Sequence, residues 1–75
     1  MTEIMRSTIE RVTPVKRLSE MYMIDVQDTV FDVFSKIGYL PSVNIDKSID
    51  KVWANSSRDD LLSEFVYNVW RNDNG

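Results

Sequence analysis

DVQDTVFDVFSKIGYLP, residues 25–41, is the stretch whose reading decides the fold class. Val26, Val30, Val33, Phe34 and Ile37 recur at helical spacing and form an apolar stripe opposite Asp28, Asp32 and Ser35. Asp25 stands where an N-cap belongs. Gly38 occupies the C′ position, where a left-handed residue ends a helix; Leu40 is placed to make the hydrophobic contact of a Schellman-type end, and Pro41 forbids continuation. The pattern predicts a helix over Val26 to Ile37 with both ends marked.

Downstream, Ile45, Ile49, Val52 and Trp53 share one face, with Asp46, Lys47, Asp50 and Lys51 off it, which predicts a helix starting near Asn44. Ser57 followed three residues on by Asp60 resembles a capping box with Asp in place of Glu. Leu61, Leu62, Phe65, Val66, Val69 and Trp70 then form a broad apolar face, so a last helix is expected to end near Arg71. Upstream, Ile4, Met5, Thr8, Ile9 and Val12 fall on one side of a helix, with Thr2 as a cap and Glu3 in the first turn. Thr13-Pro14 reads as a cap followed by proline at the first helical position, and Val15, Leu18, Met21 and Tyr22 continue at helical spacing. Met21 to Ile24 is apolar throughout and reads equally well as a short strand. The expected fold is all-α, a compact bundle of four or five short helices in a single domain over residues 1–75. The minor alternative is α+β with one short strand pair drawn from Met21 to Val26.

A chain of 75 residues has room for one core, and 43% apolar with 28% charged residues is a globular composition. With no Cys and no His, thiolate and imidazole ligands are both missing, so no metal or cofactor is expected to staple the fold. The core, or a partner chain, must suffice. Lack of Cys fits a reducing compartment. No window approaches the roughly 18–20 apolar residues of a membrane span, and the first dozen residues alternate charge with apolarity, unlike a signal peptide. A cytoplasmic location is the expectation.

Catalysis would have to be built from Asp, Glu, Lys or Ser with shifted pKa values, which needs a buried pocket. Asp28/Asp32 and Asp59/Asp60 imitate a carboxylate dyad or a Mg²⁺ site, but Asp28, Asp59 and Asp60 read more simply as first-turn acids favoured by the helix dipole. Phosphate loops, dinucleotide fingerprints and EF-hands all require glycines at set offsets, and Gly38 is the only one inside the body of the chain. No enzymatic activity is expected.

Charge is unevenly spread. Met1 to Arg17 carries +2, with Arg6, Arg11, Lys16 and Arg17 as its cations, and Leu18 to Lys36 carries −3. Two helices separated by a turn, Val26 to Ile37 and Ile45 to Asn55, resemble helix-turn-helix, but the second balances Lys47 and Lys51 with Asp46 and Asp50. A helix-turn-helix-like, DNA-associated regulator using the basic N-terminal segment is therefore the alternative reading, and nucleic acid the less favoured partner.

Protein binding is the favoured reading, because eight aromatic rings are many for so small a core. Phe31 lies off the main stripe beside Tyr39, and Tyr67 sits on the margin of the last apolar face. Phe31, Tyr39, Tyr67 and Trp70 are the candidate anchors, with Arg6, Arg11, Lys16 and Arg17 as a charged rim. A homodimer would cover the same surplus. In general type, a compact, Cys-free, mildly acidic helical chain is similar to the small accessory proteins with which phages and other mobile elements inhibit or redirect host machinery. That resemblance implies a protein-binding inhibitor or modulator in the cytoplasm of a host cell.

Overall fold

Four α-helices and one 3-10 turn make up the computed structural model, which describes residues 2–75 apart from the side chains of residues 2 and 3. The roles expected of Thr2 and Glu3 lie outside the described side chains. The elements are α1 (Thr2–Val12), the 3-10 turn (Leu18–Glu20), α2 (Met23–Ile37), α3 (Ile45–Asn55) and α4 (Leu62–Asn74). Among the described residues there is no strand; one isolated antiparallel bridge joins Arg17 and Leu61. The all-α expectation holds, and the strand-pair alternative does not, since Met23 to Val26 are helical.

α4 is the hub, packing against α1, α2 and α3, whereas α2 and α3 touch each other little. Its Leu62, Phe65, Val66, Tyr67 and Val69 are all buried. They meet Ile9 of α1, Val26, Val30, Val33 and Phe34 of α2, and Ile45, Ile49 and Val52 of α3 in one core. Each such side chain contributes about 1.5–3 kcal/mol on burial.

The C-terminal end of α2 follows its residues closely. Gly38 adopts φ 76°, ψ 20°, and the Gly38 and Tyr39 N–H groups donate to the carbonyls of Ser35 and Phe34, at 3.2 and 2.9 Å. This is the Schellman pattern. Its hydrophobic contact comes from Tyr39, whose ring lies 5.0 Å from that of Phe34, and not from Leu40, which is 89% exposed. At the other end α2 begins at Met23, so Asp25 lies in the first turn and Tyr22 is the N-cap residue.

Two expectations, a helix after Pro14 and a capping box at Ser57, fail where distant pairing overrides local pattern. No helix follows Pro14, because residues 16–18 are extended against 60–62: the Leu18 N–H donates to the Asp60 carbonyl and the Leu62 N–H to the Lys16 carbonyl, at 3.0 and 2.7 Å. Thr13 turns its hydroxyl back to the Ile9 carbonyl at the end of α1. Leu18, 1% exposed, is then pushed into the core by the 3-10 turn. Ser57 and Asp60 do not cap α4; the Ser57 N–H donates to the Asp60 carboxylate and the Asp60 N–H to the Ser57 carbonyl, both at 3.0 Å, closing a separate turn. α4 starts after an extended Leu61 and runs past Arg71 to Asn74. In α1, Met5, Ile9 and Val12 face the core while Ile4 is exposed, so the apolar stripe is narrower than its spacing suggests.

Candidate interaction surface

The eight rings divide three ways. Phe34, Phe65 and Tyr67 are buried, Tyr39, Trp53 and Trp70 are half-buried, and Tyr22 and Phe31 are exposed at 80% and 42%.

Tyr67 corrects the sequence reading, which placed it on an exposed margin: it is 4% exposed and belongs to the core. α4 is contacted from three sides, so a residue on the edge of its apolar face is covered by a neighbouring helix. The Tyr67 ring stacks on Trp70 (5.9 Å, 29°), and the Arg6 guanidinium lies 4.1 Å from its centroid while ion-pairing with Glu64. Arg6 thus braces α1 to α4 and is not a free rim charge. Trp70 continues the ladder edge-on to Tyr39 at 6.4 Å, and Tyr39 continues it to Phe34. The expected grouping of Phe31 with Tyr39 is not formed: Tyr39 turns inward along this ladder, and Phe31 is in none of the aromatic pairs among the described residues.

The remaining basic residues are also divided. Arg17 donates from its guanidinium to the Asp59 carbonyl and from its backbone N–H to Glu20, locking the 3-10 turn. Arg11 and Lys16 are exposed. Of the four expected rim cations, two are committed to internal contacts.

Asp73 ties α4 to the loop after α2. It accepts from the Tyr39 hydroxyl (2.7 Å) and from the Ser42 N–H (2.9 Å) and hydroxyl. Partial burial pushes Asp73 up, but the Ser42 hydroxyl and N–H and then the Tyr39 hydroxyl outweigh it and hold the carboxyl below its usual range. Burial, followed by the bond to Asp73, pushes the Tyr39 phenol up to about 12. These bonds tie down Ser42 while leaving Leu40 and Val43 almost fully exposed on the same loop.

The outer side of α2 is different. Ile24, 66% exposed, and Phe31 are seven residues apart and so lie on the same side, about 10 Å apart along the axis. Asp28 falls between them, four residues after one and three before the other, and is exposed. Because α2 begins at Met23, Asp28 is in its second turn, where the dipole explanation loses force. Asp59 and Asp60 likewise precede α4 and do not lie in its first turn. A helix expected only from Val26 leaves Ile24 and Tyr22 out of the candidate anchors; the Ile24–Phe31 spacing is the signal, and it falls within one helix only because α2 begins at Met23.

A cleft of about 350 Å³ between α3 and α4 is lined by Lys51, Val52, Asn55, Ser56, Asn68, Arg71 and Asn72. It holds no carboxylate, and the Ser56 hydroxyl donates to the Val52 carbonyl at 2.6 Å. Asp32 pairs with Lys36 at 3.0 Å. No helix among the described residues is long and apolar enough to cross a membrane. Comparison with family models, curated proteins and solved structures gives no match for this chain.

Proposed function

We propose that this protein is a non-enzymatic module that binds another protein, acting by steric or allosteric occupation of its partner as a small inhibitor or modulator does. The observation that supports this reading is the apolar side of α2, where Ile24 and Phe31 lie outside the core and stay exposed to water. Exposed aromatic and aliphatic side chains on a rigid helix are suited to anchoring, since little conformational freedom is lost when they dock. Tyr22, at the start of α2, extends the exposed aromatic surface. The nucleic-acid alternative draws on fewer free charges than the sequence suggested, because Arg6 and Arg17 are engaged within the fold.

The test places the photo-cross-linker p-benzoylphenylalanine at Phe31, at Leu40 or at Lys47, irradiates each protein in a lysate of its source, and compares the adducts. A discrete protein adduct from position 31, lost on Ile24→Ser and absent from position 47, is expected. No adduct from either position 31 or position 40 would end the reading.

A further inference from the structure

We infer that the surface docking on α2 is a basic amphipathic segment, with an apolar stripe for Ile24 and Phe31 and a Lys or Arg for Asp28. This deepens the protein-binding reading and rests on it.

Charge complementarity inside an apolar contact selects the partner. Any chain that covers Ile24 and Phe31 together must also cover Asp28, which lies between them on the same side of α2. Among the described residues the ion pairs are Arg6–Glu64 and Asp32–Lys36, so Asp28 reaches the contact with no cation of its own. A wholly apolar or acidic partner would strip water from that carboxylate and return nothing, the unfavourable case for a buried charge. A cation three or four residues from the partner's apolar anchors returns a charge-assisted hydrogen bond in place of the lost hydration. The surroundings reinforce the sign: residues 18–36 carry Glu20, Asp25, Asp28 and Asp32 against Lys36 alone. Asp25 has an internal explanation in the first turn of α2, and Asp32 has one in Lys36; Asp28 has neither.

The same pattern disfavours a second copy as the occupant. A two-fold contact through α2 sets each acidic face against itself and confronts Asp28 and Asp25 with like charges.

The experiment titrates the isotope-labelled protein with two 18-residue helical probe peptides that share one leucine face, lysine filling the other positions in the first and glutamate in the second. The lysine peptide should bind roughly tenfold or more tighter at low salt, weaken steeply as salt is raised, and shift the amides of residues 24–31. Asp28→Lys, an exposed change that spares the core, should reverse the preference. Ile24→Ser with Phe31→Ser should weaken both peptides. Equal affinities, a preference for glutamate, absent binding, or shifts confined to the loop after α2 would overturn the inference. So would a mass in solution that doubles from 8.8 kDa with concentration and returns to monomer on Phe31→Ser. If the cross-link at position 31 persists through such a result, the binding reading stands and only the partner's chemistry is wrong.

Discussion

Leu18 is the residue on which the non-helical third of this fold turns, and Leu18→Ala tests that. The side chain is 1% exposed although it stands on a three-residue turn, held by backbone bonds that the substitution leaves in place. The loss is therefore one of packing. Removing three carbons at about 0.8 kcal/mol each gives about 2.4 kcal/mol of transfer free energy. Incomplete collapse of the site brings the total to about 3 kcal/mol, inside the roughly 2–5 kcal/mol span for buried leucines. A domain of 75 residues has a total stability of about 4–11 kcal/mol, so the variant should keep its fold with a small reserve. Thermal unfolding followed by far-ultraviolet circular dichroism should show a midpoint lower by about 12–24 °C, and urea unfolding an unchanged slope. Val15→Ala on the same segment is the control; Val15 is almost fully exposed, and its change should stay within about 0.5 kcal/mol. A Leu18→Ala loss below about 1 kcal/mol would mean that residues 16–20 merely lie on the bundle, and the reasoning would fail.

Gly38→Ala isolates a backbone effect. A Cβ there meets nothing within 4 Å, so the cost is that of the left-handed φ alone, partly offset by the stiffer unfolded chain, at about 1 kcal/mol and about 4–8 °C in midpoint. Gly38→Asn should cost less, and a neutral Gly38→Ala would refute the role of the Schellman end. The Asp73 cluster predicts pH dependence at both extremes. Asp73 is held below its usual range when folded, so its contribution is present above about pH 4 and is lost as the pH falls through the folded value; Asp73→Asn should flatten that acid limb. Tyr39 is pushed up to about 12, which favours the neutral phenol in the folded state. Its contribution is complete below about pH 10 and fades as the pH rises towards the folded value, a limb that Tyr39→Phe should remove in urea titrations over that range.

Much of the fold was legible where the determining contacts are local. Val26 to Ile37 and Ile45 to Asn55 carry helical stripes that need no partner to be recognised, and Gly38 followed by Pro41 marks a helix end that any context would respect. The helix expected after Pro14 is absent because residues 16–19 are held by residues 58–62, about forty positions away. Helical spacing in Val15, Leu18 and Met21 is a weak preference, and two backbone bonds with a buried leucine outweigh it. The same distant pairing holds Leu61 extended and leaves Ser57 and Asp60 to close their own turn.

The surface was legible only in part. Phe31 stands off the stripe of its helix, and an exposed ring is what that position implies. Tyr67 stands at a comparable margin yet is buried, because α4 is not covered on one side alone but packs against three neighbours, and Arg6 arrives from fifty-eight residues away to pair with Glu64 beside it.

Residue spacing and Gly38 suffice for the helical class, for the existence of the four α-helices and for the place where α2 ends, because hydrophobic periodicity and backbone sterics act over a few residues. Which helix becomes the hub, which rings are enclosed, and that Asp28 stays unpaired between two exposed apolar side chains depend on how the helices are stacked. Burial is a property of the neighbours a side chain meets, and those neighbours come from remote parts of the chain.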